Sequence, residues 1–273
     1  MVWWQAIVLG LIQGLTEFLP VSSSGHLMIF KDLVGADAEG FLDFTVTVHC
    51  ATVLSTLVVF WAAIRKLLAG FFKFKYNDET DYIVKILISA IPVAIVGVVF
   101  KDKVEALFGD NLTTVAFGLI FTAILLWFSD MAFKVFRFSR DGYNTARNGI
   151  TWWQALLVGF GQALAVAPGV SRSGTTIATG LIAGVRRDVM AQFSFLMVLI
   201  PILGEQGLDV VKAVGGEGFG GGVSPVCLAL GFIFAFASGL FACKTMVALV
   251  RKAKLGWFSV YCLAVAVLIL ILK

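Results

Sequence analysis

An all-α integral membrane protein is predicted by three features of the chain: its composition, its long charge-free runs, and a broken apolar segment that occurs twice. Of 273 residues, 59% are hydrophobic and only 14% charged, with a mean hydropathy of +0.95, whereas soluble domains carry about 25% charged residues. Such a chain lacks the polar side chains to cover a water-facing surface. Cytosolic and secreted globular enzymes are thereby excluded. The net charge of +4 arises from 21 Lys and Arg against 17 Asp and Glu in small scattered clusters, so there is no basic stripe for nucleic acid. Cys50, Cys227, Cys243 and Cys262 lie in apolar runs without paired spacing, which argues against a disulfide framework or a zinc site.

Six crossings are predicted at 44–64, 86–100, 111–129, 189–204 extending past Glu205, 218–243 and 255–272, because about 20 apolar residues span a bilayer. The N-terminal stretch has no basic leader and is interrupted by Gln13 and Glu17, so no removable signal peptide is expected. Regions 1–30 and 148–184 are apolar as well, but each is broken in its middle. The first break reads Pro20-Val21-Ser22-Ser23-Ser24-Gly25-His26 and the second Pro168-Gly169-Val170-Ser171-Arg172-Ser173-Gly174-Thr175-Thr176. In lipid, such backbone would leave polar groups unpaired at several kcal/mol each, so both segments are expected to form re-entrant helical hairpins lining an enclosed, wet cavity.

Positive charge orients the arrangement. Arg65, Lys66, Lys73 and Lys75, then Lys134, Arg137, Arg140 and Arg147, then Arg186 and Arg187, then Lys244, Arg251, Lys252 and Lys254 flank the spans. All four clusters fall on one face if both hairpins enter and leave on the same side. The positive-inside rule makes that face cytoplasmic, with both termini outside and the cavity opening outward. Loops 31–43, 101–110 and 212–224, rich in acids and glycines, take the other face.

Shifted by 149 positions, residues 3–25 align with 152–174 without a gap, matching Trp3/Trp152, Trp4/Trp153, Gln5/Gln154, Gln13/Gln162, Ser22/Ser171, Ser24/Ser173 and Gly25/Gly174 among others. Shared apolar bias does not produce such matches, so the unit is duplicated. Three crossings separate the copies. An odd number inverts the second relative to the first, giving a single membrane domain of two inverted repeats, about 1–136 and 150–273, with the broken tips near the midplane. The copies differ where chemistry is expected: Glu17 faces Val166 in the alignment, Ser23 faces Arg172, and His26 faces Thr175. Acid and imidazole on one side and guanidinium on the other suggest a composite site.

Arg172 lies far from every predicted membrane end, and a buried guanidinium needs an anion. Ser171, Ser173, Thr175 and Thr176 offer hydroxyls beside it, while Gly169 and Gly174 let backbone approach and open a helix whose first amides suit phosphate. A structural pairing of Arg172 with Glu17 is the competing reading, and the two can coexist before a ligand arrives. Gln13 and Glu17, four apart, share a helix face and can present oxygens to a hard divalent cation, magnesium or calcium. One carboxylate makes a thin site, so the substrate is expected to supply much of the coordination. His26 suits proton transfer near neutral pH. His49, inside an apolar span, reads as packing or pocket lining, and most of Ser22, Ser23 and Ser24 are expected to satisfy loose backbone groups.

These two motifs, with Phe193-Ser194-Phe195, Pro201 and the basic penultimate loop, resemble the bacterial undecaprenyl-pyrophosphate phosphatases of the bacitracin-resistance type over nearly the full chain. The resemblance implies hydrolysis of a C55 isoprenoid diphosphate to the monophosphate carrier of peptidoglycan synthesis, in the inner membrane, aided by a divalent cation. It implies Gln13, Glu17, Ser22, Ser23, His26, Ser171, Arg172, Ser173 and Thr176 as site residues. Members carry Glu or Gln at the position of Gln13. Ser23 is then the favoured nucleophile with His26 as proton partner; attack by water or by His26 itself stays open. Ser24, Gly169 and Gly174 are expected to complete the phosphate cradle. Partners are the prenyl diphosphate and membrane lipids, and a homodimer stays open. A lipid-phosphate flippase or secondary transporter is the alternative, since inverted repeats with broken helices are also a transporter plan.

Overall fold

The computed structural model describes residues 1–36, 40–100, 112–136, 146–204, 222–252 and 254–272, and these are helical with connecting turns and no strand. The helices are α1 (Trp3–Phe18), α2 (Ser23–Leu33), α3 (Phe41–Val59), α4 (Trp61–Phe71), α5 (Asp78–Val99), α6 (Leu112–Phe136), α7 (Trp152–Leu164), α8 (Arg172–Ile182), α9 (Arg187–Met197), α10 (Pro225–Lys252) and α11 (Gly256–Leu272). Beyond a short turn, α9 resumes and runs to Gly204. Five of these are long and apolar enough to cross a membrane: α3, α5, α6, α9 with its continuation, and α10. The chain is a multi-pass membrane protein. The apolar α11, at 17 residues, is slightly shorter than the others.

Several boundaries differ from the charge-free runs, for identifiable reasons. The first expected span continues to 64, but the helix breaks at Phe60 (φ −97°, ψ 10°) and restarts as α4. The second begins eight residues earlier than its uncharged stretch. Asn77 caps α5 by accepting from the Thr80 amide at 2.8 Å, and Asp78, Glu79 and Asp81 occupy the first turn, where the helix dipole favours anions. Lys85 enters the helix buried because its ammonium lies 2.5 Å from Asp81 and 2.8 Å from the Arg147 carbonyl. α10 begins at Pro225 rather than 218, since proline fits the first helical turn, and it runs on through Lys244. Glu205 and the loops 101–110 and 212–221 lie outside the described residues.

The duplication extends from sequence into backbone. α1 and α7 start 149 positions apart, as do α2 and α8, and the latter pair also end 149 apart. Gln5 Oε1 accepts from the Val2 amide at 2.8 Å and Gln154 Oε1 from the Thr151 amide at 2.9 Å. Each glutamine then reaches across the mouth of its hairpin: Gln5 Nε2 donates to the Val34 carbonyl and Gln154 Nε2 to the Ala183 carbonyl, both at 2.9 Å. One side chain thus caps the entering helix and ties down the end of the returning one, which explains why Trp-Trp-Gln-Ala is repeated. Tight backbone crossings are duplicated too. Gly10 of α1 lies against Gly231 of α10, and Gly159 of α7 against Ser89 of α5.

Contacts at the ends of the helices fall into two groups. Met1 and Cys227 meet at one end, with Gly40 beside Val223 and α2 returning to Gln5. At the other, Arg147 pairs with Asp78 at 2.6 Å, and Asp130 of α6 accepts from Arg187 and from the Gly256 amide, both at 2.7 Å. Between these ends lies the main apolar core, where Phe195 packs at 5.9 Å from both Phe18 and Phe60 and Tyr82 meets Phe193 edge-on. Gly159→Val is expected to lower the thermal stability of the detergent-purified protein by about 1–3 kcal/mol, because its Cβ would collide with the Ser89 carbonyl rather than with a movable side chain. Gly97→Val, where a Cβ meets nothing, should leave the melting temperature within a degree or two; equal loss in both variants would remove the close crossing as the cause.

Candidate active site

α1 ends at Phe18 because Pro20 removes a backbone donor and disfavours helix at the residue before it. The chain then turns through Ser22, whose φ of +69° is unusual for a residue with a Cβ. The Ser22 hydroxyl accepts from the Gly25 amide at 3.3 Å and so caps α2. The second copy uses the same device, with Ser171 accepting from Gly174 at 3.1 Å. Gly169 takes φ +79° and presses its backbone against Val115 of α6, leaving no room for a side chain. Ser173 Oγ donates to the Leu19 carbonyl at 3.0 Å, which links the two turns directly.

Glu17 is the centre of the polar cluster. Its Oε2 accepts from Ser23 Oγ at 2.5 Å and from Gln13 Nε2 at 2.8 Å. Arg172 Nη1 stands 3.8 Å from Oε1, and His49 Nε2 lies 3.7 Å from Oε2. Thus the sequence-selected Gln13, Glu17, Ser23 and Arg172 meet at one point, contributed by both copies. Gln13 Oε1 and Arg172 Nη1 are buried without a hydrogen-bond partner. An orphaned acceptor beside a carboxylate suits a cation, and an orphaned guanidinium nitrogen suits an anion. Among the described residues no group of three His, Cys, Asp or Glu side chains could hold a metal.

Other selected residues serve the turns. Ser24 Oγ lies 3.4 Å from Ser22 Oγ, and Ser171 and Ser173 repeat that spacing. Thr176 donates to the Arg172 carbonyl at 2.9 Å and meets Ser194 Oγ at 2.6 Å. His26 requires a correction: its Nδ1 is bonded to the Ser22 carbonyl and its Nε2 to Tyr261 of α11, both at 2.8 Å. The ring is buried and committed at both nitrogens, so the expected pairing of His26 with Ser23 is replaced by a pairing of Ser23 with Glu17.

A cavity opens beside the cluster. Glu17, Arg172, Ser173, Thr52, Thr56 and Ser194 form its polar part, and Phe18, Val53, Phe195, Val198, Leu199 and Ile202 its apolar part. Thr52, Thr56 and Tyr261 carry no sequence-based selection, Ser194 enters only through the Phe193-Ser194-Phe195 string, and His49 reads from sequence as packing or pocket lining. A signal for α3 did exist, since Thr45, His49, Thr52 and Thr56 recur at helical spacing in an otherwise apolar span and mark one polar face.

Residues 6–268 match the family described as bacitracin resistance protein BacA. The chain is 50% identical over 273 residues to an undecaprenyl-diphosphatase of Bacteroides fragilis, covering 100% of this chain and 99% of that one. It is 51% identical over 262 residues to the Parabacteroides distasonis protein of the same name, covering 96% and 95%. To that of Halothermothrix orenii it is 37% identical over 269 residues, covering 98% and 97%. With the match running through both hairpins and every membrane-length helix, the chain belongs to the bacitracin resistance protein BacA family.

Proposed function

We propose that the protein is a membrane phosphatase that hydrolyses undecaprenyl diphosphate to undecaprenyl phosphate and phosphate, returning the lipid carrier to cell-wall synthesis. The observation that carries this reading is the cavity: a polar end with Arg172 and Glu17 continues into an apolar wall of Phe18, Val53, Phe195 and Leu199. A diphosphate on an isoprenoid chain has the same division. Relatives at about 50% identity over full length carry the name of this activity.

Arg172, whose buried Nη1 faces Glu17 but makes no hydrogen bond, holds the diphosphate together with the amides at the start of α8. Ser23 Oγ, already donating to Glu17, attacks the terminal phosphorus as its proton passes to the carboxylate. Undecaprenyl phosphate leaves, and water then hydrolyses the phosphoserine, releasing phosphate and restoring Ser23. A divalent cation, magnesium or calcium, fits the donor set, since Glu17 and the unpartnered Gln13 Oε1 would hold it with oxygens of the diphosphate completing its shell. When bound it neutralises charge on the phosphates. The flippase reading has no use for a hydroxyl held against a carboxylate, and hydrolysis is therefore the reading adopted.

Six crossings and two re-entrant hairpins in inverted repeats remain our membrane arrangement. Gln5 and Gln154 closing their hairpins support chain entry and exit on one face. Exposed Trp3 and Trp4 mark one interface, and Trp61, Trp152, Trp153 and Trp257 the other. The second group shares its end with Arg65, Lys66 and Arg147, which supports our reading of that end as cytoplasmic and of the termini as outside, in the bacterial inner membrane.

Purified protein supplied with magnesium or calcium should release phosphate from prenyl diphosphates. Arg172→Lys should lower turnover by roughly 10–100-fold while inserting normally, since an ammonium cannot reproduce the guanidinium fork. Ser23→Ala should lose about 10³-fold or more with substrate still bound. Substantial turnover by Ser23→Ala would transfer the attack to water. Single cysteines at 66–80 should react only from the cytoplasmic side and those at 214–223 only from outside; the reverse would overturn the orientation.

A further inference from the structure

At the serine that caps its second helix, the two copies of the hairpin differ in backbone angle. Ser171 turns into α8 with φ −76°, an ordinary value, whereas its counterpart Ser22 turns into α2 with φ +69°. A residue with a Cβ holds such a conformation only where its surroundings compel it. In both copies the backbone amide four residues on bonds back to this carbonyl, at 3.1 Å from His26 and 2.8 Å from Thr175. Only the first copy adds a second clamp: the His26 ring, through Nδ1, takes the same Ser22 carbonyl at 2.8 Å. At the equivalent position, the hydroxyl of Thr175 is buried with no partner. The copy with the strained turn is thus the copy with the ring.

A carbonyl only accepts, so Nδ1 carries the hydrogen, and the neutral ring presents the Nε2 lone pair to Tyr261, whose hydroxyl donates to it at 2.8 Å. The rings are nearly parallel, at an interplanar angle of 11°. α11 also reaches the turn through the next residue, with Cys262 Sγ donating to the Pro20 carbonyl at 3.5 Å. The helix itself is fastened to α6 by Ser259 Oγ, which donates to the Ala123 carbonyl at 2.6 Å.

We propose that Tyr261 is a positioning residue: its phenol fixes the tautomer of His26, whose Nδ1–H holds Ser22 in the strained turn that directs Ser23 Oγ into Glu17. His26 therefore acts through the backbone and transfers no proton to or from Ser23. This rests on the reading of Ser23 as the attacking group. The α11 helix contributes to catalysis without touching substrate, and the difference between the copies acquires a cause: the strained turn belongs to the copy that bears the nucleophile.

Four measurements test the proposal. Tyr261→Phe should reduce kcat about 10-fold with KM within about 2-fold, because the anion-holding groups are untouched. His26→Asn, whose side-chain amide can still donate to the Ser22 carbonyl, should keep kcat within about 10-fold of wild type, while His26→Leu, which has no donor, should lose 10²-fold or more. Adding Tyr261→Phe to His26→Leu should cost nothing further. An Asn variant as inactive as the Leu variant, or wild-type turnover in Tyr261→Phe, overturns the proposal. The chain has two histidines, so nitrogen-15 spectra of histidine-labelled protein in detergent contain two imidazoles, and the one lost in His26→Asn is His26. Its Nε2 resonance should shift in Tyr261→Phe with its Nδ1–H tautomer depleted; an unchanged signal overturns the proposal even if the wild type releases no phosphate, an outcome that would sink the phosphatase reading by itself.

Discussion

A carboxylate inside an apolar helix bundle has to be satisfied by the protein, because lipid offers no hydrogen bonds and the cost of an unpaired ion is several kcal/mol. Glu17 meets this demand with groups from three segments: Gln13 on its own helix and Ser23 across the turn donate hydrogen bonds, and Arg172 from the other hairpin stands as a counter-charge at 3.8 Å. His49 from α3 approaches the same oxygen. Each group constrains a segment. For Ser23 to reach back, α1 must end near Phe18 and α2 must begin at once, and for Arg172 to arrive, the second hairpin must meet the first tip to tip. The link from Ser173 Oγ to the Leu19 carbonyl is the direct trace of that meeting.

Duplication solves the packing problem and divergence solves the chemical one. The same glutamine closes each hairpin, the same serine caps each second helix, and a small residue at each crossing lets a long helix lie against the hairpin. These features carry no charge and can be copied freely. Charges cannot be copied in this way, since two carboxylates or two guanidiniums facing across a small cavity would repel. One copy accordingly holds Glu17 and Ser23 while the other holds Val166 and Arg172. A composite site of opposite signs follows from placing unlike residues in like frames.

Outside the cluster, several charged residues that enter helices are paired at the ends of the bundle. Lys85 is almost wholly buried, yet Asp81 and the Arg147 carbonyl satisfy it. Arg187 reaches Asp130, which also binds the first amide of α11. These contacts fasten α5 to the start of the second hairpin and α6 to α9 and α11, so the second hairpin and helices packed around the cluster are held from the polar ends as well as from the core. The cavity beside the cluster is then free to remain half apolar.

The membrane class, the positions of the apolar runs, the duplicated hairpins and the demand of a buried Arg172 for an anion, a ligand or Glu17, were legible from sequence, because each depends on local periodicity, on a repeated string, or on the cost of burying charge. Arg172 could be chosen on that ground, Gln13 and Glu17 on their shared helix face, and Ser23 on its alignment with Arg172 and on the family resemblance. Helix ends at Asp78 and Phe60 were less legible, since a capping asparagine and a buried ion pair let charged residues extend one helix while a local break shortened another. The partners of the two histidines were decided only by tertiary structure. His26, expected as the proton partner of Ser23, has one ring nitrogen bonded to Tyr261, 235 positions away. For His49 the sequence leaves packing and pocket lining open, because its neighbours are apolar, and its helix turns it toward Glu17. Sequence spacing tells which side chains share a helix face; which face of another helix they meet depends on packing angles and rotations that no local pattern encodes.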